Sequence, residues 1–231
     1  QYSLGIYEEM LAQSAEYAGA KSYFDAIYAG SDSNANLPAD YAEDSGRKNK
    51  PAATITLRSL EGLSTARLEE FALLNSITVN TVLLGGFEYT LAKYSAESEL
   101  ILCTANHGRH DSRLQNTVGM MVRTLPLYVQ IEEEQRVAEF LKNVQENLLG
   151  AMEHDVYPFL QLAVDHGLSA DYKFVYQNDV LESLSLGDLT VPVLNLPLDS
   201  AQGKLTIMAF KEVSGYRFEF SYRSDLFSEE N

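Results

Sequence analysis

Leu100-Ile101-Leu102-Cys103-Thr104 is a continuous apolar run closed by one hydroxyl. A strand with one wet face alternates apolar and polar residues, and this stretch does not. It fits a central strand buried on both faces, which needs a layered fold with cover above and below. Helical cover is legible on both sides of it. Residues 3–28 read as one helix, with Leu4, Tyr7, Leu11, Ala15, Ala18, Ser22 and Ile27 roughly on one face. Ser64 reads as the N-cap of a helix through Leu74, and Thr78 as that of the next. The second of these carries a stripe of Val79, Val82, Leu83, Gly86, Phe87, Leu91 and Tyr94. Gly85-Gly86 inside it disfavours helix by about 1 kcal/mol per Gly relative to Ala, so close packing against another backbone is expected there. Residues 136–153 form an amphipathic helix on Val137, Phe140, Leu141, Val144, Leu148 and Met152, and Pro158 opens a short helix where a missing N–H does no harm.

The remaining periodic segments are strands. ATITLRS at 53–59 alternates. Residues 120–131 hold Pro126, which cannot donate to a ladder and so belongs at an edge or a bulge. From Tyr172 onward come YKFVYQ, LTVPVLNL, KLTIMAF and YRFEFSYR, with Ser214-Gly215 as a hairpin signal between the last two. Gly30 to Pro51 is rich in Ser, Asp, Asn and Lys and reads as a long exposed linker. The division is a lead-in helix at 1–29, a linker at 30–52 and a core at 53–231, in an α/β layered domain with a mixed β-sheet packed with helices.

Composition excludes some functions. A net charge of −16 without any Lys/Arg run argues against a nucleic-acid partner. No apolar stretch approaches the ~20 residues needed to span a bilayer, and no secretory leader opens the chain. Cys103 is the single cysteine, so there is no disulfide framework, and a cytoplasmic protein is expected. The chain does not begin with Met and reads as an excised fragment.

Few residues propose chemistry on their own. His107, His110 and Asp111 lie close together on a polar loop, but nothing supplies further ligands, so no metal is expected. His154 and His166, each at a helix end, read as structural, with Gly167 as a C-terminal cap. GxSxG, GxxxxGK[ST] and CxxC are absent. Cys103 lies among apolar neighbours, the wrong setting for a nucleophile. Arg109 and Arg123 flank the loop at 105–118. They read either as surface or ion-paired arginines, or as groups that shape a polar channel or hold the loop against another part of an enzyme.

Six motifs in order carry a resemblance. They are Tyr23-Phe24 ending the lead-in helix, ILCTANHGR, VGMMVRTLPL from Val118 to Leu127, His154 through Pro158-Phe159 to Ala163, FVYQN at 174–178, and the final GYRFEFSYRSDLF. In that order the chain resembles, over nearly its whole length, the C-terminal lobe of a condensation domain of nonribosomal peptide synthetases, a family with the chloramphenicol-acetyltransferase-like fold. It departs from the family pattern at Met121, where Phe is usual, at Arg123, where Asn is usual, at Leu160-Gln161 after the PF pair, and at Gly203 to Thr206. The family's catalytic HHxxxDG is not in these residues.

The resemblance implies a mechanism. Two lobes would form a V around a tunnel that phosphopantetheine arms of two carrier proteins enter from opposite ends. The second His of HHxxxDG would aid attack of an acceptor amine on a donor thioester. This chain would then hold no catalytic residue and bind no cofactor directly. His107, Gly108, Arg109, His110, Val118, Gly119, Met121, Arg123 and Thr124 would form the tunnel wall and its floor loop, and His154, Pro158 and Phe159 would pin a helix to the core. Implied partners are the missing N-terminal lobe, peptidyl or acyl carrier proteins and an adjacent adenylation domain. The alternatives are a lobe of an epimerisation domain, a coenzyme A-dependent acyltransferase, or a non-catalytic platform that docks carrier proteins.

Overall fold

The computed structural model describes residues 4–31, 34–41, 53–58, 64–109, 111–132, 134–177, 183–192, 201, 203–212 and 215–229. The lead-in segment is two helices, α1 (Leu4–Ala12) and α2 (Ala15–Tyr28), where one was expected. Ser14 makes the break: its Oγ accepts from the Tyr17 N–H and donates to the Leu11 carbonyl. Capping α2 satisfies backbone groups that a continuous helix would have paired internally. The buried face also differs from the expected stripe. Ala20, Phe24 and Tyr28 are buried, while Ala15, Ala18 and Ser22 are exposed. The core therefore begins in α2 and not at residue 53.

Strand β1 (Ala53–Arg58) precedes α3 (Thr65–Leu74) and α4 (Val79–Ser95), capped by Ser64 and Thr78 as expected. Then come β2 (Glu99–Asn106), β3 (Arg123–Gln130), α5 (Val137–Glu153) and α6 (Phe159–His166), followed by β4 (Tyr172–Gln177), β5 (Ser183–Leu186), β6 (Leu189–Pro192), β7 (Leu205–Glu212) and β8 (Gly215–Tyr222). Six strands form one mixed sheet in the order β1-β8-β7-β4-β2-β3. β4 runs parallel to both β2 and β7, and the other pairings in the sheet are antiparallel. β2 has neighbours on both sides, and Leu100 to Thr104 are all buried. β3 is an edge strand, which accommodates Pro126 opposite Cys103. It starts at Arg123; residues 120–122, read as strand, lie outside it. The β7–β8 hairpin pairs Glu212 with Gly215. β5 and β6 form a separate two-stranded hairpin turning at Gly187, where a single strand from Leu189 was expected. The far end of that strand, 193–196, lies outside the described residues.

Helix packing follows small side chains. A Cβ on Gly85 would run into Leu141 and Phe140 of α5, whereas Gly86 faces open space. Close approach therefore involves one glycine of the pair, against side chains and not backbone. The stripe of α4 is shifted accordingly: Thr81, Leu84, Gly85, Phe87, Glu88, Leu91 and Ala92 are buried, and Tyr94 is exposed. On α5, Phe140, Leu141, Val144, Leu148 and Ala151 are buried, while Val137 faces out. The described part of the expected linker is pinned to the sheet. The Ala35 N–H donates to the Ile101 carbonyl and Ala35 is buried. Asn34 reaches the Gly167 carbonyl and the Ser169 N–H, and the Leu37 N–H donates to Tyr172 Oη. Backbone amides that an exposed linker would leave to water are satisfied by the core.

Candidate functional site

β2 ends at Asn106 and β3 begins opposite it at Arg123, so their register closes the base of the loop at 107–122. Arg109 gives the loop its shape. Its guanidinium donates to the carbonyls of Leu114 at 2.6 Å, Thr117 at 2.8 Å and Gly119 at 3.4 Å. Five donors in a rigid fork suit such a role. Arg109 thus clasps its own loop. Gly108 sits at φ +63°, and a Cβ there would fall on the Met121 carbonyl oxygen. Only glycine allows the two arms to approach this closely.

The second arm is exposed except at Met121. Val118 is fully exposed, Met120 is 84% exposed and Val122 is exposed, while Met121 turns into the core. Gly119 is exposed and lends its carbonyl to Arg109. Arg123 pairs with Glu8 of α1 at 3.5 Å, and half-buried Thr124 lies opposite Ala105. The fold therefore brings Gly108, Arg109, Gly119, Met121 and Arg123 together. His107 is exposed and accepts the Arg109 N–H at Nδ1. His110 lies outside the described residues.

His154, Pro158 and Phe159 lie on the neighbouring helix junction. His154 is the C-cap of α5; its ring stacks on Tyr23 of α2 with centroids 3.9 Å apart, and Nδ1 lies 2.7 Å from the Gly150 carbonyl. Pro158 is the N-cap of α6, and Phe159 packs on the core. A few residues on, His166 Nε2 meets Asp25 Oδ1 of α2 at 2.9 Å. Hydrogen bonds from Lys21 and then His166 hold the Asp25 carboxyl below the usual carboxylate range. Burial, and then the hydrogen bond to Asp165, push the Tyr157 phenol upward.

Two residues of the site were missed by sequence reasoning. Asp155 is 5% exposed and Asn106 7% exposed, and Asn106 Nδ2 donates to Asp155 Oδ2 at 2.8 Å. The available signals were a polar residue ending an apolar strand and an acid directly after His154. Asp155, Gly108, Arg123, Tyr7, Leu11 and Met152 line an open cleft of about 390 Å³ between α1, the loop and the end of α5. Its lining mixes apolar side chains with a few charged ones, a combination common to ligand clefts.

Residues 6–231 match the Condensation domain family. The chain belongs to that family. It is 27% identical over 229 residues to bacitracin synthase 3 of Bacillus licheniformis, covering 96% of this chain and 4% of that one. Among solved structures it is similar to the X-domain in its complex with OxyB from teicoplanin biosynthesis, with TM-score 0.81, 20% identity, and 97% and 52% of the two chains covered. It is also similar to the first condensation domain of the calcium-dependent antibiotic synthetase in complex with a substrate analogue, with TM-score 0.77, 17% identity, and 97% and 49% covered. The fold is that of condensation domains, a chloramphenicol-acetyltransferase-like mixed sheet with helices. The chain spans a small fraction of the synthetase it matches and about half of these two structures.

Proposed function

We propose that this condensation-family chain is the C-terminal lobe of a nonribosomal peptide synthetase condensation domain, acting in amide-bond formation between carrier-bound acyl and aminoacyl thioesters. The observation that carries the reading is the loop at 107–122. It is closed at its base by strand register, clasped by Arg109, and presents Val118, Met120 and Val122 to solvent. A clasped loop with an apolar outer edge suits a surface that another lobe covers. HHxxxDG is not among these residues, so the group that assists the amine would come from the other lobe. The contribution of this lobe is positional: it would hold two tethered substrates in line and keep water out, work worth many orders of magnitude in effective concentration. His107, Gly108, Arg109, His110, Val118, Gly119, Met121, Arg123 and Thr124 would form the floor and wall, while His154, Pro158 and Phe159 hold the helix junction behind them.

Substrates would arrive on phosphopantetheine arms of carrier proteins, with an adenylation domain as neighbour and the cytoplasm as the compartment. Among the described residues no single helix is long and apolar enough to cross a membrane. The test is reconstitution of this chain with a partner lobe bearing HHxxxDG, with carrier proteins loaded and dipeptidyl thioester followed by mass spectrometry. Product from the pair and none from this chain alone supports the reading. Product from this chain alone overturns it.

A platform that docks other proteins is the second reading. Its support is Arg123, which stands where the family pattern has Asn and is drawn to Glu8 of α1. Stable binding of a carrier protein with no amide product from the reconstituted pair favours it.

A further inference from the structure

We propose that Asp155 is a positioning residue that sets the course of the loop at 107–122 through a relay of hydrogen bonds. This rests on the reading of that loop as the floor of an acyl-transfer tunnel. The relay starts in the turn between α5 and α6, where Asp155 Oδ2 accepts from Asn106 Nδ2 at 2.8 Å. Asn106 Oδ1 then accepts the His107 N–H at 2.9 Å. The His107 ring Nδ1 accepts the Arg109 N–H at 2.9 Å. The Arg109 guanidinium finally grips the carbonyls of Leu114, Thr117 and Gly119 on the far arm.

Each link constrains the next. The Asn106 amide has one orientation in which its nitrogen donates to the carboxylate and its oxygen receives the backbone N–H. That orientation fixes the direction in which the chain leaves β2. The imidazole, held as an acceptor at Nδ1, turns the backbone into the positive φ of Gly108. The turn aims Arg109 back across the loop. The first two side chains are buried, so loss of one removes a buried hydrogen bond from the other. Asp155 also lines the same cleft as Gly108 and Arg123. Its carboxylate thus couples the helix junction behind the loop to the loop itself.

The test uses amide hydrogen exchange on the whole chain, with Asp155→Ala and Asp155→Asn. Asp155→Ala removes the acceptor and is expected to raise exchange at His107, Arg109 and Thr117 by about tenfold, the size of one lost buried hydrogen bond, while the amides of β2, β4 and α5 keep their rates. Asp155→Asn retains an acceptor oxygen and restores the native pattern. Unchanged exchange at 107–119 in Asp155→Ala overturns the relay. A rise of equal size in β2 and α5 overturns it as well, because Asp155 would then serve general stability. The same variants placed in the reconstituted two-lobe domain separate the two ideas. A higher KM for carrier-bound substrate with kcat little changed, rescued by Asn, supports both. A loosened loop with unaltered condensation kinetics leaves the relay standing and overturns the tunnel-floor reading.

Discussion

Gly108 illustrates how one residue constrains the site. It combines a positive φ with an approach that leaves no space for a Cβ beside the Met121 carbonyl. Gly108→Ala should lower stability by ~2–4 kcal/mol, since backbone strain and a clash with main chain act together and neither yields easily. Urea denaturation checks this. Gly85→Ala should be milder, about 1–3 kcal/mol, because the obstacle is the end of the Leu141 side chain, although Phe140 and Val144 restrict its retreat. Glu88 is a different residue-scale liability. It is 3% exposed on α4, and burial pushes its carboxyl up to about 8. A carboxyl whose folded pKa is raised favours the native state at low pH, and that contribution is lost as pH rises from about 4.5 through about 8. Unfolding free energy should therefore fall across this window, and Glu88→Gln should flatten the decline. An equal slope in the variant would assign the decline to other groups.

At the scale of elements, the docking of α2 decides whether the lead-in segment is part of the core. Phe24 and Tyr28 are fully buried, Tyr23 stacks on His154, and the Tyr23 hydroxyl occupies the space a Gly150 side chain would take. Phe24→Ala should cost about 3–5 kcal/mol, the range for a large buried aromatic, and should shift the denaturation midpoint of the whole lobe and not of α2 alone. Two separate transitions would show that α2 is an independent unit. This docking also marks the limit of what the sequence discloses. β2 was legible because an unbroken apolar run has few interpretations, and α3 and α4 because Ser64 and Thr78 are unambiguous caps. The break in the lead-in helix was obscured by good helix formers on both sides of Ser14. The buried face of α2 was misread because its weakly apolar alanines and serine outnumber the aromatics that pack. Arg109 and Arg123 stood out as basic residues flanking a polar loop in an acidic chain, and Gly108 was flagged through resemblance alone. Asn106 and Asp155 lie far apart in sequence and meet only once β2 and the α5–α6 turn are side by side, so periodicity could not reveal them.

At the scale of the whole molecule, the apolar edge at Val118, Met120 and Val122 lies on a chain of net charge −16. Exposed apolar patches promote association, while like charge opposes it. Raising salt screens the repulsion, so weak self-association should strengthen between about 0.05 and 0.5 M NaCl. Sedimentation velocity on the wild type and on a Val118→Ser, Met120→Ser, Val122→Ser triple variant checks this. A strict monomer at high salt and high concentration would show that the edge is not sticky.

The sheet order carries one more consequence. β8 is the last of the described strands, yet it lies between β1 and β7. Asp40 and Tyr41 likewise await the Leu226 carbonyl. During synthesis β1 leaves the ribosome well before β8, its partner in the sheet, and waits until the β7–β8 hairpin has followed it out. The nascent chain must shield that orphan strand while everything between β1 and β8 is made, and a stall before Gly215 leaves an open sheet edge for chaperones to guard.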